Sequence, residues 1–581
     1  MPFSSTSKRA AIALLVAAFP LGAQTADLIF HNGKVWTVDA AQPQAQAVSI
    51  GGERILQVGS DAAILALRGA GTRLIDLHGR LLLPGFNDAH THFENAAQWF
   101  FEVRLIDVTR PAELLARLKQ SAARVPEGLW ITATDWGALA VWKRNPPPPP
   151  TIDLAAVDAI TPHHPVLFRR FDRVYFANSE ALRLARIRET ASDPKGGRYG
   201  RDPISGKLNG MLYGTAGESM ELLMPPPTAA RKRIGALGVI ADLNRVGITS
   251  VQDIARLDAL SQQQTPSTFT ERSYSDVAIF RDLKERNQLT VRVYAFMPLQ
   301  TWTGLVHYGI TPQSGDTLLR YGVLKDFTDG SYMFEPYANN PRNSGNWTFR
   351  FPGEDVMARN ILAADRAGFD IGLHVTGDKA LHAILDWYAA AARQNGPRDR
   401  RDRLIHVWFA REDDLARAGK MGLIADITPD QLLDDIPGIE GVAGPDRAKT
   451  AFAWRTMIRD GIKLDIVSDL PGLFNKQQVA AINPLENIYM ATTRRRLDGT
   501  PAKGWHPEQC ITREEAIAAY TVNPAWASHE ERLKGSITPG KLADLVILSD
   551  DVLQGPPEKL LSAKVDVTVL GGKIVFERKT Q

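Results

Sequence analysis

Eight short runs of β-branched or otherwise apolar residues, spaced by stretches of helical character, constrain this chain more than any other feature. They lie at 81–87, 248–254, 290–297, 323–327, 370–374, 404–408, 423–427 and 462–467. Helix-like segments separate most of them, as at 378–394, 412–421 and 448–460. Eight strands alternating with helices predict an α/β fold, a (β/α)8 TIM barrel. The chemistry of such a barrel sits at the C-terminal ends of its strands.

The polar residues around those runs fall where a barrel would use them. His90-Thr91-His92 comes directly after the first run, and side chains at i and i+2 of an extended segment share one face. Imidazole is the commonest metal-binding side chain, so two on one face start a zinc-type site. Taken alone, His-x-His is explained as well by chance or by structure. Lys325, however, lies in the fourth run, His374 ends the fifth, His406 lies in the sixth, and Asp469 follows the eighth. Six potential ligands from five strands then converge on one barrel mouth. That coincidence is far harder to obtain by chance than any one motif.

These residues belong to longer motifs. They are Pro-Gly-Phe-Asn-Asp-Ala-His-Thr-His at 84–92, Lys-Asp-Phe-Thr-Asp-Gly-Ser at 325–331, His-Val-Thr-Gly-Asp-Lys-Ala at 374–380 and Ser-Asp-Leu-Pro at 468–471. Tyr-Thr-Val-Asn-Pro-Ala at 520–525 and Lys-Gly-Ser-Ile-Thr-Pro-Gly-Lys-Leu-Ala-Asp-Leu-Val at 534–546 complete the series. From about residue 27 onward the chain resembles the amidohydrolase superfamily, metal-dependent hydrolases, and within it the branch that includes N-substituted formamide deformylase (amidohydrolase family 3). The resemblance implies two divalent metal ions, usually Zn2+, bridged by carboxylated Lys325 and a hydroxide. It implies His90, His92 and Asp469 on the more buried metal, His374 and His406 on the second, and Lys325 between them. Two cations beside a bridging water lower its pKa towards neutrality. Asp469 would then take its proton and pass it to the departing nitrogen or oxygen.

Each of these residues also has a purely structural reading. His90 and His92 could be satisfied core histidines, and His374 and His406 each adjoin an apolar run where a lone histidine is commonly structural. Lys325 could be an ion-paired residue, although a lysine inside a packed barrel is costly unless paired or chemically changed. Asp469 could cap a following helix, but Pro471 and Gly472 argue for a loop there.

The chain departs from the resemblance at two places. Ile405 stands just before the sixth-strand histidine, where relatives usually carry glutamate. In the stretch ending Asn178-Ser179, Asp172-Arg173 replaces the relatives' Gly-His. If that histidine touches substrate, Arg173 would favour a carboxylate or a polarised carbonyl instead. Arg173, Trp136 and Asp329 are therefore the candidate substrate-binding residues.

Domain organisation follows. Residues 1–26 read as a signal peptide: Lys8 and Arg9 precede the apolar run 10–19, and Ala23 or Ala26 offers a cleavage point. That run is too short to span a bilayer comfortably, so a periplasmic or secreted protein with no stable membrane span is expected, an uncleaved anchor being the alternative. Residues 27–83 and 536–581 carry alternating strand patterns with turns at Asn32-Gly33, Gly51-Gly52 and Gly571-Gly572. By the resemblance, both chain ends form one small β-sandwich beside the barrel at 84–535. The segment 93–246 is too long for a βα loop and reads as a lid and specificity element, or as a merely stabilising insertion. Its proline run 146–150 must be extended.

Composition excludes several classes. A net charge of +3 without a basic block argues against nucleic acid as a partner. The lone Cys510 lies away from any strand end, and Gly-x-Ser-x-Gly is absent, so neither a thiol nor a serine nucleophile is expected. The expected function is metal-dependent hydrolysis of a linear amide C–N bond in a small N-acyl or N-substituted compound. An esterase or lactonase on the same binuclear scaffold, or a phosphotriesterase, is the alternative. Lys325 argues against a deaminase, and the complete ligand set against a non-catalytic binding protein. The sequence leaves a homo-oligomer open.

Overall fold

The computed structural model describes residues 25–105, 108–134, 136, 151–170, 174–225, 227–254, 275–307, 309–329, 354–434, 436–470 and 483–579. Among them is one eight-stranded parallel sheet whose order follows the chain. Its strands are β1 (Phe86–Thr91), β2 (Ile248–Ile254), β3 (Arg292–Pro298), β4 (Leu319–Phe327), β5 (Ile371–Val375), β6 (Arg403–His406), β7 (Ile424–Ile427) and β8 (Lys463–Ile466). The sheet curls round until its ends meet just beyond β8. There Asp469 N donates to His90 O (3.1 Å), His92 N donates to Leu470 O (2.7 Å), and Thr91 pairs with Leu470. The buried Asp88 carboxylate fixes the same seam by accepting from Ser468 N at 3.1 Å. This is a (β/α)8 barrel.

Helices cover the barrel because their apolar residues recur at the helical period. In Asp378–Asn395, Leu381, Ile384, Leu385, Tyr388 and Ala391 are all buried on the face towards the strands. Inside, Ile254, Tyr294, Phe296, Val323 and Ile405 form an apolar plug. Beside it lie buried charges: Arg403 reaches Asp426 at 3.5 Å and Asp465 at 3.6 Å, all three with fully buried side chains. The barrel is thus filled below its mouth.

The first apolar run is not one strand, which corrects the sequence expectation. It divides at Gly85 into Leu81–Pro84, which joins the sandwich, and β1, which opens the barrel. A Cβ at Gly85 would overlap the side chain of buried Thr249, so only glycine lets the chain pass between the two sheets here. In consequence His90 lies within β1 rather than after it.

The two chain ends do meet. Leu81–Pro84 pairs antiparallel with Leu545–Leu548, with Leu82 opposite Ile547. That sheet runs on through Val565–Leu570 to Lys573–Glu577 on one side and through Lys34–Trp36 on the other. It packs over the sheet of Ala26–His31, Ala47–Gly51, Arg54–Gly59 and Arg68–Asp76 around Phe30, Ile50, Leu82, Ile547 and Val567. Arg292 at the start of β3 ties this unit to the barrel through a buried bidentate pair with Asp544, at 2.6 and 2.8 Å. Removing one partner leaves a buried charge uncompensated. Asp544→Ala is therefore expected to cost about 3–5 kcal/mol, read as a lowered urea midpoint. A midpoint unchanged from the parent would show that the clamp carries no such energy.

Within 93–246, helices Phe93–Gln98 and Ala229–Arg245 pack into the barrel's own core through Phe93, Ala97, Ala236, Ile240 and Leu243. Between them stands a six-stranded mixed sheet built from Val103–Arg104, Ile131–Thr134, Val166–Arg169, Val174–Ala177, Gly197–Arg201 and Leu208–Gly214. It carries an apolar cluster on each face, one around Leu118, Phe168 and Phe176 and another around Leu167, Tyr175 and Met220. No helix among the described residues is long and apolar enough to cross a membrane.

Candidate metal centre

The C-terminal ends of the strands bring the six expected ligands together. His90 (β1), Lys325 (β4), His374 (β5) and His406 (β6) come from the strands themselves, His92 follows β1, and Asp469 follows β8. Donor atoms of His90, His406 and Asp469 all lie within 4.8 Å of one another. Asp469 Oδ1 stands 3.2 Å from His90 Nε2 and 3.3 Å from His92 Nε2. The imidazoles form a continuous wall: ring centroids are 5.3 Å apart for His90 and His92, 5.2 Å for His90 and His406, and 4.8 Å for His374 and His406. Lys325 Nζ lies 4.1 Å from the centre of the Phe327 ring, which in turn packs 5.0 Å from His374.

Backbone conformation marks the same place. His406, Val407 and Asp469 have φ of 81°, 46° and 52°, the left-handed region that residues other than glycine seldom enter. Such strain persists only where surrounding bonds enforce it, and it concentrates at functional sites. Here Val407 N donates to Val375 O at 2.9 Å and Asp469 N to His90 O at 3.1 Å. These bonds hold the turned backbone at His406, where β6 ends, and at Asp469, three residues beyond β8.

The charge states suit a cation. Burial holds the imidazoles of His90 and His374 well below their ordinary range and that of His406 at about 4. Each is therefore neutral at pH 7, with a lone pair to give. Burial raises the proton affinity of the Asp469 carboxyl, but His90 and His92 outweigh it and hold the group ionised, well below the usual carboxylate range. Burial also pulls the Lys325 amine down to about 7. Lys325 Nζ, both ring nitrogens of His374, and Nδ1 of His90 and His406 are buried without a hydrogen-bond partner among the described residues. Several adjacent polar atoms left in that condition would each cost about 1–3 kcal/mol. A set of neutral imidazoles and a carboxylate is also what a zinc-type ion binds. The residues present fit a metal centre.

The three candidate substrate residues fare differently. Arg173 lies outside the described residues. Trp136 sits in the insertion's own apolar core, 1% exposed and 6.5 Å from the Phe168 ring, with Arg170 over its face. Asp329, just beyond β4, is buried and accepts from Thr376 N, Thr376 Oγ1 and Gly377 N at 2.8–3.2 Å, and stands 3.6 Å from His374 Nε2. Its carboxylate thus braces the turn after β5 that carries His374.

Sequence reasoning missed two kinds of residue. Gln431 donates from Nε2 to Asp469 Oδ2 at 2.8 Å; its one signal was the Thr428-Pro429-Asp430-Gln431 spacing, which resembles a helix-capping box. The buried Arg403, Asp426 and Asp465 lie beneath the site within or beside runs that read as apolar, where period-two alternation is hidden.

The known proteins that resemble this chain agree with the geometry. The model of the amidohydrolase family matches residues 73–576. The chain belongs to the amidohydrolase family. Membership makes it a hydrolytic enzyme acting on C–N bonds. Protein LONG AFTER FAR-RED 3 of Arabidopsis thaliana is 32% identical over 569 residues, covering 95% of this chain and 92% of that protein. N-substituted formamide deformylase of Arthrobacter pascens is 26% identical over 598 residues, covering 96% and 99% respectively. An uncharacterized metal-dependent hydrolase from Pyrococcus furiosus superposes with a TM-score of 0.68 at 22% identity, over 91% of this chain and all of that one, a likeness of fold.

Proposed function

We propose that the protein is an exported amide hydrolase with two divalent metal ions, cleaving a linear C–N bond in a small N-acyl or N-substituted compound. The observation that carries this reading is the convergence of four histidines, Lys325 and Asp469 on one buried cradle. His90, His92 and Asp469 would hold one ion and His374 and His406 the other, with Lys325 spanning them. Bound there, the ions would acidify a water to near neutral pH and polarise the scissile carbonyl.

The chain's own groups do the rest. Asp469 is ionised and faces the imidazoles through Oδ1, so this atom takes the proton released during attack and returns it to the leaving nitrogen. The apolar plug that includes Ile254, Phe296 and Ile405 fills the barrel interior and keeps that part of it dry. Lys325 serves as a bridge once carboxylated: its amine nitrogen bonds to the carbon of CO2, releases a proton, and becomes an anion with two ligand oxygens. Only a neutral amine does this, and burial brings Lys325 close to neutrality at physiological pH.

The A. pascens relative is named for removing a formyl group from nitrogen, which favours an amide over an ester here. Metal-stripped protein is expected to regain about two equivalents of zinc, and activity towards N-substituted formamides, faster with bicarbonate than without. A panel in which only aryl esters or lactones turn over would overturn the amide assignment. By its chemistry, Arg173 would favour a substrate with a carboxylate or a polarised carbonyl. Arg173→His should shift substrate preference by about 10- to 100-fold with zinc content unchanged, since a lost charged hydrogen bond is worth roughly 1.5–3 kcal/mol. An unaltered preference removes Arg173 from the pocket.

Export through the N-terminal signal belongs to the same reading. Cleavage after Ala23 leaves the strand Ala26–His31 whole, whereas cleavage after Ala26 would remove its first residue, which is buried and bonded to Leu67 O at 3.0 Å. Expression in a host with a periplasm should therefore release a mature chain beginning at Gln24.

A further inference from the structure

Asp469 has two carboxylate oxygens, and the structure gives them different work. Oδ1 faces His90 and His92, while Oδ2 accepts from Gln431 Nε2 at 2.8 Å. Gln431 lies on the short helix Pro429–Asp434 that follows β7, and it is buried. Its amide has one correct orientation, because only the NH2 end can donate to a carboxylate. The other end, Oε1, accepts from the Thr428 hydroxyl at 2.7 Å, and Thr428 is fully buried. A hydroxyl donor there holds the amide against a flip that would set two oxygens face to face. Thr428 and Gln431 have the spacing of a capping box, in which the glutamine would turn back on its own helix. Here its hydrogens cross to the neighbouring strand end.

We propose that Thr428 and Gln431 form a positioning relay that fixes the Asp469 carboxylate, reserving Oδ2 for the protein and leaving Oδ1 for the metal and the travelling proton. This rests on the proposed function, since it presumes a metal in the cradle. The backbone gives the relay its purpose. Asp469 sits in a loop at φ 52°, three residues beyond β8, where side-chain direction is not set by strand geometry. Hydrogen bonds to ligating carboxylates typically alter metal affinity by about 10–100-fold.

The test is zinc release to excess chelator from the full-length zinc-loaded protein, with no substrate needed. Gln431→Ala should release zinc about 10-fold faster or more. Thr428→Val, which touches no ligand, should speed release several-fold, while Thr428→Ser, which keeps the hydroxyl, should match the parent. The double variant Thr428→Val with Gln431→Ala should release no faster than Gln431→Ala alone, because Thr428 acts only through Gln431. A purely structural role would instead multiply the two effects and would lower the unfolding temperature of the metal-stripped variants. Multiplicative effects, or Gln431→Ala at the parental rate, overturn the relay. If Gln431→Ala fails to fold, equal release from Thr428→Val and Thr428→Ser overturns it. A parent that binds no zinc overturns the proposed function and the relay together, whereas a zinc-loaded parent with unaffected variants overturns the relay alone.

Discussion

Lys325→Ala is expected to lose bound zinc and, with it, turnover by roughly 10³-fold or more, because the lost term is the lowering of water's pKa from about 15.7 to about 7. The lysine sits in β4 with Nζ buried and without a hydrogen-bond partner among the described residues, a costly arrangement for an amine with no task. Its nearest surroundings are the Phe327 ring and the field of Asp469, Asp326 and Asp426, and it repels protons from His90, His374 and His406. As an ammonium it would also repel cations in the same cradle; as a carbamate it would attract both. Lys325→Met separates the chemical role from a structural one. An apolar chain of similar length removes a buried amine without opening a cavity, so the metal-stripped variant should unfold at or above the temperature of the metal-stripped parent. Zinc quantification and circular dichroism on the two variants decide the matter. Full metal content with normal turnover would remove Lys325 from the centre.

Asp469→Asn is expected to lower turnover by about 10²-fold or more while most of the zinc remains, the signature of a lost acid/base group rather than a lost site. Asparagine suits this test because it tolerates the left-handed conformation that Asp469 adopts. Its carbonyl can accept the Gln431 hydrogen bond in place of Oδ2, so the relay stays satisfied. What disappears is the ionised oxygen facing His90 and His92. Four histidines and the Lys325 bridge still hold the ions. Zinc loss as complete as in Lys325→Ala would instead make Asp469 chiefly a structural ligand.

Much of this centre was legible in the sequence because its ligands punctuate apolar runs. Strand β2 coincides with the run 248–254, and β5 and β7 lie within a residue of theirs, since Val, Ile and Leu dominate both faces of a covered parallel sheet. The first run misled for the same reason. Pattern alone does not show that Leu81-Leu82-Leu83 serves the sandwich and Phe86 the barrel; the close approach of Thr249 to Gly85 does. The strand Arg403–His406 begins with a charge, so its buried Arg403 fell outside the run from which β6 was read. Its partners Asp426 and Asp465 look like surface residues until the barrel closes around them. The contact of Gln431 with Asp469 was hidden for a different reason. Its hydrogen bond joins β7's helix to the loop after β8, a contact 38 positions apart that no local periodicity records.

The central claim is that six side chains from five strands hold a pair of cations, and anomalous diffraction at the zinc edge addresses it most directly. Crystals of the zinc-loaded protein should show two peaks about 3.5–4 Å apart, bounded by His90, His92, Lys325, His374, His406 and Asp469, with density for a carboxylated Lys325 between them. An absence of peaks in the barrel mouth, or zinc bound elsewhere on the molecule, would contradict the account.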